Sequence, residues 1–428
     1  MIDLGLTRIN QLVRLLQYPF PWRAIHVAGT NGKGSVCAYI STTLSASRLL
    51  TGRFTSPHLL DRWDCISIDN APIARGVFLS AESHIQKLNA EHGIGATEFE
   101  ILTATAFEVF TREKVHVAVV EVGMGGRGDA TNVLVDPMVV VLTKVGLDHE
   151  GYLGGTLAEI AWQKAGIVKR GVPVVVDGTN EKEVLEVVER VAREVRAGEV
   201  TKVIPSSEEA GTGKATVTVT VTTKELGQIS STPSLQGDYQ LTNSALAIHA
   251  LALASKTFPQ ITAETISTGI STTTWPGRLD FVDISPLLFL PPTISKQKKI
   301  LLDGAHNPQA AAALAKYVDT LRPRRGGVNW VLAATQGKDI SRILRLLLKK
   351  GDRVFAVPFG PVDGMPWVRC MPPAEIVQQS QEVLGERGGV GGGNERGGGK
   401  DGGRGRKLVS DFLSFLLLAV WFGVRGGG

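Results

Sequence analysis

Short apolar runs and longer amphipathic stretches alternate along most of this chain. Runs rich in β-branched residues occur at 24–28, 115–120, 138–143, 172–176, 300–302, 330–333 and 353–357. Most are continuously apolar, as expected of strands covered on both faces by helices. Interleaved with helical periodicity, they predict an α/β architecture with a parallel sheet. The stretch 216–222 differs, because Thr and Val alternate with period two. That pattern predicts a strand with one exposed face, part of an antiparallel hairpin appended to the first domain.

A Pro-rich stretch from Ser285 followed by Lys-rich 296–299 reads as a linker, after which the alternation restarts. The expected organisation is a first domain over 1–287, a second α/β domain over 288–384 and a tail over 385–428. In the tail, 12 of the 23 residues in 385–407 are glycine. Such a tract cannot bury enough apolar surface to offset its ordering entropy, so disorder is expected there. The apolar run 412–424 follows. It is shorter than the ~20 residues that span a bilayer, so an irregular segment or a packed helix is expected rather than an anchor.

Charge narrows the class of partner. The net charge is +5, and the seven Arg/Lys and four Asp/Glu of 385–428 supply +3 of it. The remaining body carries only +2 and has no aromatic-studded basic stretch, which gives no reason to invoke nucleic acid. The three cysteines Cys37, Cys65 and Cys370 are widely spaced and form no C-x-x-C pair. They fit a reducing compartment rather than a disulfide framework or zinc site. The N-terminus reads as neither a signal nor a clear transit peptide. A cytoplasmic monomer is expected, with mitochondria as the alternative location.

Several motifs carry chemistry. The run 24–28 enters GTNGKGS at 29–35, and Ser35 onward reads as a helix start. Glycines let backbone N–H groups converge on an anion, and a helix N-terminus adds partial positive charge. Lys33 can reach terminal phosphates. Gly34 separates it from Ser35, a departure from the common G-x-x-x-x-G-K-[ST] loop. The alternative is a tight structural turn. TSPH at 55–58 places the Ser56 hydroxyl where it could ligate Mg²⁺, though alone it is only a loop.

EVGMGGRGDATN at 121–132 puts Glu121 at a strand end before a Gly-rich loop. Ligands gather at the carboxyl ends of strands in open α/β sheets, and a carboxylate there suits Mg²⁺ or else a structural ion pair. His149, in GLDH at 146–149, follows another strand end and is either a ligand or an orienting group. Lys164 follows within a helical pattern and is on spacing alone equally a surface lysine. Later come QGDYQLTN at 236–243, WPGR at 275–278 and DGAHNP at 303–308. There Arg278 could neutralise phosphate, Asp303 could hold a ribose and His306 could stack on a base.

Taken in order and spacing, these motifs resemble the folylpolyglutamate synthase and dihydrofolate synthase group of the Mur ligase superfamily. The likeness covers residue 1 to about 375. IDLGLTRI (2–9), ISIDNAPI (66–73), TEFEILTATAF (97–107) and VDGMPW (362–367) are similar to fungal dihydrofolate synthases. The resemblance implies a P-loop-type, mostly parallel-sheet ATPase domain followed by a smaller Rossmann-like α/β domain.

The resemblance also implies roles. Gly29, Thr30, Asn31, Gly32, Lys33, Gly34 and Ser35 hold the ATP phosphates. Ser56 and Glu121 ligate Mg²⁺, and His149 a second magnesium. Lys164 becomes a carbamate that also serves the metal, preceded here by Gln163 where many relatives have Glu. Asn243, Arg278, Asp303 and His306 contact ATP, and His58 lies where relatives bind the pterin substrate. The implied reaction joins L-glutamate to 7,8-dihydropteroate at the expense of ATP. The alternatives are glutamate addition to tetrahydrofolate, and a catalytically impaired nucleotide-binding homologue. Relatives end with a strand packed on the second domain, and the glycine-rich tail stands in its place.

Overall fold

The computed structural model describes residues 3–209, 217–285, 299–323, 326–385, 389–392 and 417–421. The chain divides into two compact units. One comprises Met1–His58 and Trp63–Thr274, and the other comprises Leu59–Arg62 and Trp275–Gly428.

The first unit is built on β1 (Arg23–Ala28), β2 (Thr51–Phe54), β3 (Ile66–Ile68), β4 (Ala71–Pro72), β5 (Val117–Glu121), β6 (Val139–Leu142), β7 (Val174–Asp177) and β8 (Val200–Val203). They form one sheet in the order β4-β3-β2-β5-β1-β6-β7-β8. From β2 through β8 every neighbouring pair is parallel, and only the β2–β3 and β3–β4 pairs at one edge are antiparallel. Strands β5, β6 and β7 are buried at every position, which matches their continuous apolar runs. A second sheet joins β9 (Ser206–Glu209), β10 (Val217–Thr223) and β11 (Gly227–Ser231), all antiparallel. The alternating Thr/Val stretch is therefore the middle strand of a meander.

Helices cover the sheet for readable reasons. Helix Lys182–Val195 buries Val184, Val187, Val188 and Val191, a stripe at i, i+3, i+4 and i+7. Helix Glu98–Arg112 opens on a capping box between Thr97 and Glu100, and helix Leu157–Lys164 on one between Thr156 and Glu159. Helix Tyr239–Ala254 is apolar nearly all round and buries eleven of its sixteen residues, as a helix inside the core must.

The second unit carries β12 (Asp280–Asp283), β13 (Lys299–Asp303), β14 (Asn329–Ala333), β15 (Arg353–Ala356), β16 (Gly389–Gly392) and β17 (Leu417–Trp421), in the order β12-β13-β17-β14-β15-β16. The two units part at Thr274/Trp275, and β12 pairs antiparallel with β13 in the later sheet. One expectation is corrected here. Part of the apolar run 412–424 is neither irregular nor helical. Its residues 417–421 form an inner strand antiparallel to both β13 and β14. Five consecutive apolar residues suit a strand flanked on both edges. The Pro-rich linker after Ser285 and most of the glycine tract lie outside the described residues. Among the described residues no helix is long and apolar enough to cross a membrane.

Candidate active site

The carboxyl ends of β2, β5, β1 and β6 lie side by side in the first unit. Register aligns them: Phe54 faces Val120, Val27 faces Glu121, and Ala28 faces Leu142. From β1 the chain departs to β2 on one side and reaches β6 on the other, so β1 marks the point where an open α/β sheet forms its ligand crevice. Each of these four strands delivers a residue singled out by sequence.

The turn after β1 leads directly into helix Lys33–Ala46, which starts at Lys33 rather than the expected Ser35. Gly32 ends the turn with φ +93°, and a Cβ placed there would lie 2.4 Å from Asn243 Oδ1. Only glycine satisfies both the left-handed backbone and the close approach. The turn is fixed from β6. Thr30 N–H and Asn31 N–H donate to the Lys144 carbonyl at 2.8 and 3.1 Å, and Thr143 Oγ1 donates to the Asn31 carbonyl at 2.8 Å. Thr30 Oγ1 bonds the Gly146 backbone through both its N–H and its carbonyl, each at 3.0 Å. The first-turn amides of the helix have no intrahelical carbonyl, so this held turn presents donors and positive dipole to an anion.

Lys33 Nζ lies 3.6 Å from Glu121 Oε1 and donates to the Thr30 carbonyl at 3.2 Å. Glu121 is buried at the last position of β5. Ser56 follows the end of β2, the next strand along, and His58 is buried two residues later. His149 adopts φ +54° in the loop after β6, and its half-exposed ring has Nε2 3.8 Å from Asp148 Oδ2.

Lys164 is the last residue of its helix and is buried. Its Nζ donates to the Gly29 carbonyl at 2.9 Å, tying the helix end to the glycine turn. Burial, and then repulsion from Lys33, lowers its pKa to about 7, against weaker opposing pulls from Asp148 and Asp129. A surface role for Lys164 is excluded by this placement.

Asn243 stands behind Gly32 on helix Tyr239–Ala254, where its Nδ2 donates to Gln240 Oε1 at 3.0 Å. Gln240 Nε2 in turn donates to Ser35 Oγ at 3.2 Å. Sequence reasoning did not single out Gln240, although its i, i+3 spacing from Asn243 places both on one helix face.

Arg278, Asp303 and His306 belong to the second unit and form a cluster of their own. Asp303 is buried at the end of β13, where its two oxygens accept the N–H groups of Leu279 and Ala305, both at 2.9 Å. Burial raises its pKa, opposed chiefly by Arg278. Arg278 Nη1 donates to the Gly277 carbonyl at 3.0 Å, and His306 Nδ1 lies 3.0 Å from the Gly304 carbonyl.

The first unit thus combines a strand–glycine turn–helix anion site, a lysine, a buried carboxylate at the neighbouring strand end and a second, partly deprotonated lysine. Comparison with known proteins points to a family. The profile described as Mur ligase middle domain matches residues 27–251, and that described as Dihydrofolate synthetase, C-terminal domain, matches residues 287–392. A probable dihydrofolate synthetase of Schizosaccharomyces pombe is 41% identical over 89% of this chain and 87% of its own length. A dihydrofolate synthetase of Saccharomyces cerevisiae is 38% identical over 88% and 86%. The Mycobacterium tuberculosis folylpolyglutamate synthase solved with ADP and AMPPCP superimposes with TM-score 0.74 at 31% identity, over 91% of this chain and 86% of that one. The chain belongs to the dihydrofolate synthase and folylpolyglutamate synthase family of the Mur ligases.

Proposed function

We propose that this ligase joins L-glutamate to 7,8-dihydropteroate, consuming ATP and releasing 7,8-dihydrofolate, ADP and phosphate. The observation that carries the reading is the Lys33–Glu121 pair at 3.6 Å beside the glycine turn, in a chain about two-fifths identical to fungal dihydrofolate synthetases.

The acceptor carboxylate attacks the γ-phosphorus of ATP, and ADP leaves. The glutamate amine then attacks the acyl carbonyl, an N–C bond forms, and phosphate departs as the amine loses its proton. Little covalent chemistry falls to the protein, whose work is alignment and charge neutralisation. The amides of residues 29–35 cradle the phosphates, and the Lys33 ammonium offsets charge gathering on the transferred group. Gln240 and Asn243 hold Ser35 and the turn in register.

The donor set fits magnesium. Glu121 is a buried carboxylate and Ser56 a hydroxyl at the neighbouring strand end, both hard oxygen donors of the kind that hold Mg²⁺ together with phosphate oxygens. Ser56 and Glu121 would hold one ion and His149 a second. When bound, the ion neutralises phosphate charge and orients the phosphoryl group. Lys164, with its pKa near 7, is suited to add its neutral amine to CO₂, releasing a proton and becoming a carbamate whose oxygens serve the ion. Asn243, Arg278, Asp303 and His306 contact ATP in this reading, and His58 the pterin.

Purified protein supplied with ATP, Mg²⁺, glutamate and dihydropteroate forms dihydrofolate and ADP in equal amounts. Product with tetrahydrofolate and none with dihydropteroate overturns the acceptor assignment in favour of polyglutamylation. ADP formation with neither acceptor overturns ligation itself.

A further inference from the structure

The segment Asp129–Asn132 makes no part of the anion site, yet its side chains are hydrogen-bonded on several sides. Asp129, Thr131 and Asn132 are all buried. Asp129 Oδ2 accepts the Met124 N–H at 2.8 Å and Oδ1 accepts the Thr131 N–H at 3.0 Å, which closes the glycine-rich loop after Glu121. Asn132 reaches further. Its Nδ2 donates to the Arg127 carbonyl at 3.0 Å and to the Gly166 carbonyl at 3.2 Å, while its Oδ1 accepts from Lys169 Nζ at 2.7 Å. One amide therefore ties the loop after β5 to the chain two residues beyond Lys164.

Three further contacts run along the same seam. Arg127 N–H donates to the Gln163 carbonyl at 2.8 Å. The Arg127 guanidinium stacks 3.9 Å over the Trp162 ring. A Cβ on Gly126 would lie 2.7 Å from the Lys164 carbonyl, so the loop backbone rests directly on the helix end. The Lys164 side chain leaves this seam to reach the Gly29 carbonyl.

We infer that Asn132 is a positioning residue for Lys164, holding the helix end against the loop so that the amine stays at the glycine turn. Its role passes through the Gly166 and Arg127 carbonyls and not through substrate. An aspartate at this position keeps the acceptor for Lys169 but loses both donors and turns an oxygen toward two carbonyls. Arg127 N–H and the Gly126 contact remain in that variant, so the loop keeps its general course while the helix end loosens.

Competitive acetylation of the folded protein, with each lysine followed by peptide mass spectrometry, reads this directly and needs no ligase activity. The expected result for Asn132→Asp is a rise of about tenfold in the labelling rate of Lys164, with the lysines far from the seam unchanged. A Lys164 rate equal to that of the parent overturns the inference. An equal rise at all lysines also overturns it, since that is general loosening. Should Asn132→Asp not fold, Lys169→Met removes the Nζ contacts to Asn132 Oδ1 and to the Asn132 carbonyl and leaves both Nδ2 bonds in place. Its expected effect is a rise of about threefold at Lys164 alone, and an unchanged rate there counts against the inference.

Discussion

Lys164 Nζ and the Gly29 carbonyl meet at 2.9 Å across 135 residues of sequence. The bond places a buried amine against the first residue of the phosphate turn, in a setting that lowers its pKa to about 7. Two chemistries are open to it there. As a cation it would resemble Lys33, and arginine would retain part of its work. As a carbamate it supplies oxygens, and arginine cannot. The expected outcome is an inactive Lys164→Arg and a Lys164→Ala that regains activity when a short carboxylic acid is added. A partly active arginine variant without acid rescue contradicts the carbamate.

Lys33 carries the charge of the turn. Lys33→Ala should lower the ligation rate by a factor of about a hundred to a thousand, the usual weight of one well-placed charge-stabilising donor. Continuous ADP release assays measure it, and activity within a few-fold of the parent removes Lys33 from the phosphate site.

Glu121→Gln keeps the shape of a buried side chain and removes the charge preferred by a hard cation. The Mg²⁺ concentration for half-maximal activity should rise by roughly tenfold, the lower end for loss of a metal contact. A superimposable Mg²⁺ titration would make Glu121 a structural partner of Lys33 only.

His26 gives the fold a sensitivity to acid. It is fully buried on β1, its Nε2 lies 2.8 Å from Thr131 Oγ1, and its Nδ1 has no hydrogen-bond partner among the described residues. Burial first, and then Lys169, depresses its pKa from 6.5 to about 3. Between those values the unfolded chain binds a proton that the folded chain refuses, so stability falls as pH drops below 6.5. The slope from this group approaches about 1.4 kcal/mol per pH unit. Urea midpoints measured at about pH 7 and about pH 5 should diverge less in His26→Gln than in the parent. Equal divergence would show that His26 is not the group responsible.

Ala419 sits opposite Leu302 on one side and Val331 on the other. Proline there removes a ladder donor from an inner strand, where it is not tolerated. Ala419→Pro should cost at least about 2 kcal/mol, a shift of roughly 4–8 °C in the unfolding of a unit this size. A calorimetric transition left in place would mean that the strand contributes nothing to the sheet of the second unit.

The strands read most readily from sequence were those buried on both faces, where continuous Val and Ala runs leave no other reading. β2 escaped because Arg53 interrupts it, although all four of its residues are buried. The guanidinium is accommodated by Ser41 at 3.0 Å, Asn70 at 3.2 Å and Ser67 at 3.3 Å, partners that only the folded chain assembles. The same limit applied at the site. Lys33 and Glu121 announce themselves by local motif, being a cation in a glycine turn and a carboxylate at a strand end. Gln240 acts on Ser35 from 205 residues away, and Asn132 on Gly166 from 34, and no local pattern encodes either pairing. β17 was visible as an apolar run, but its place depended on β13 and β14, which precede it by more than eighty residues.

That last placement bears on how the chain is made. Because β17 sits between two strands that precede it by more than eighty residues, the sheet of the second unit has a gap while those residues are being made. The ribosome releases β13 and β14 with facing edges unpaired, and such edges recruit whatever extended chain is near. This sheet therefore cannot close before β17 has been made. Until β17 arrives, those two edges are the part of this sheet most open to pairing with another extended chain.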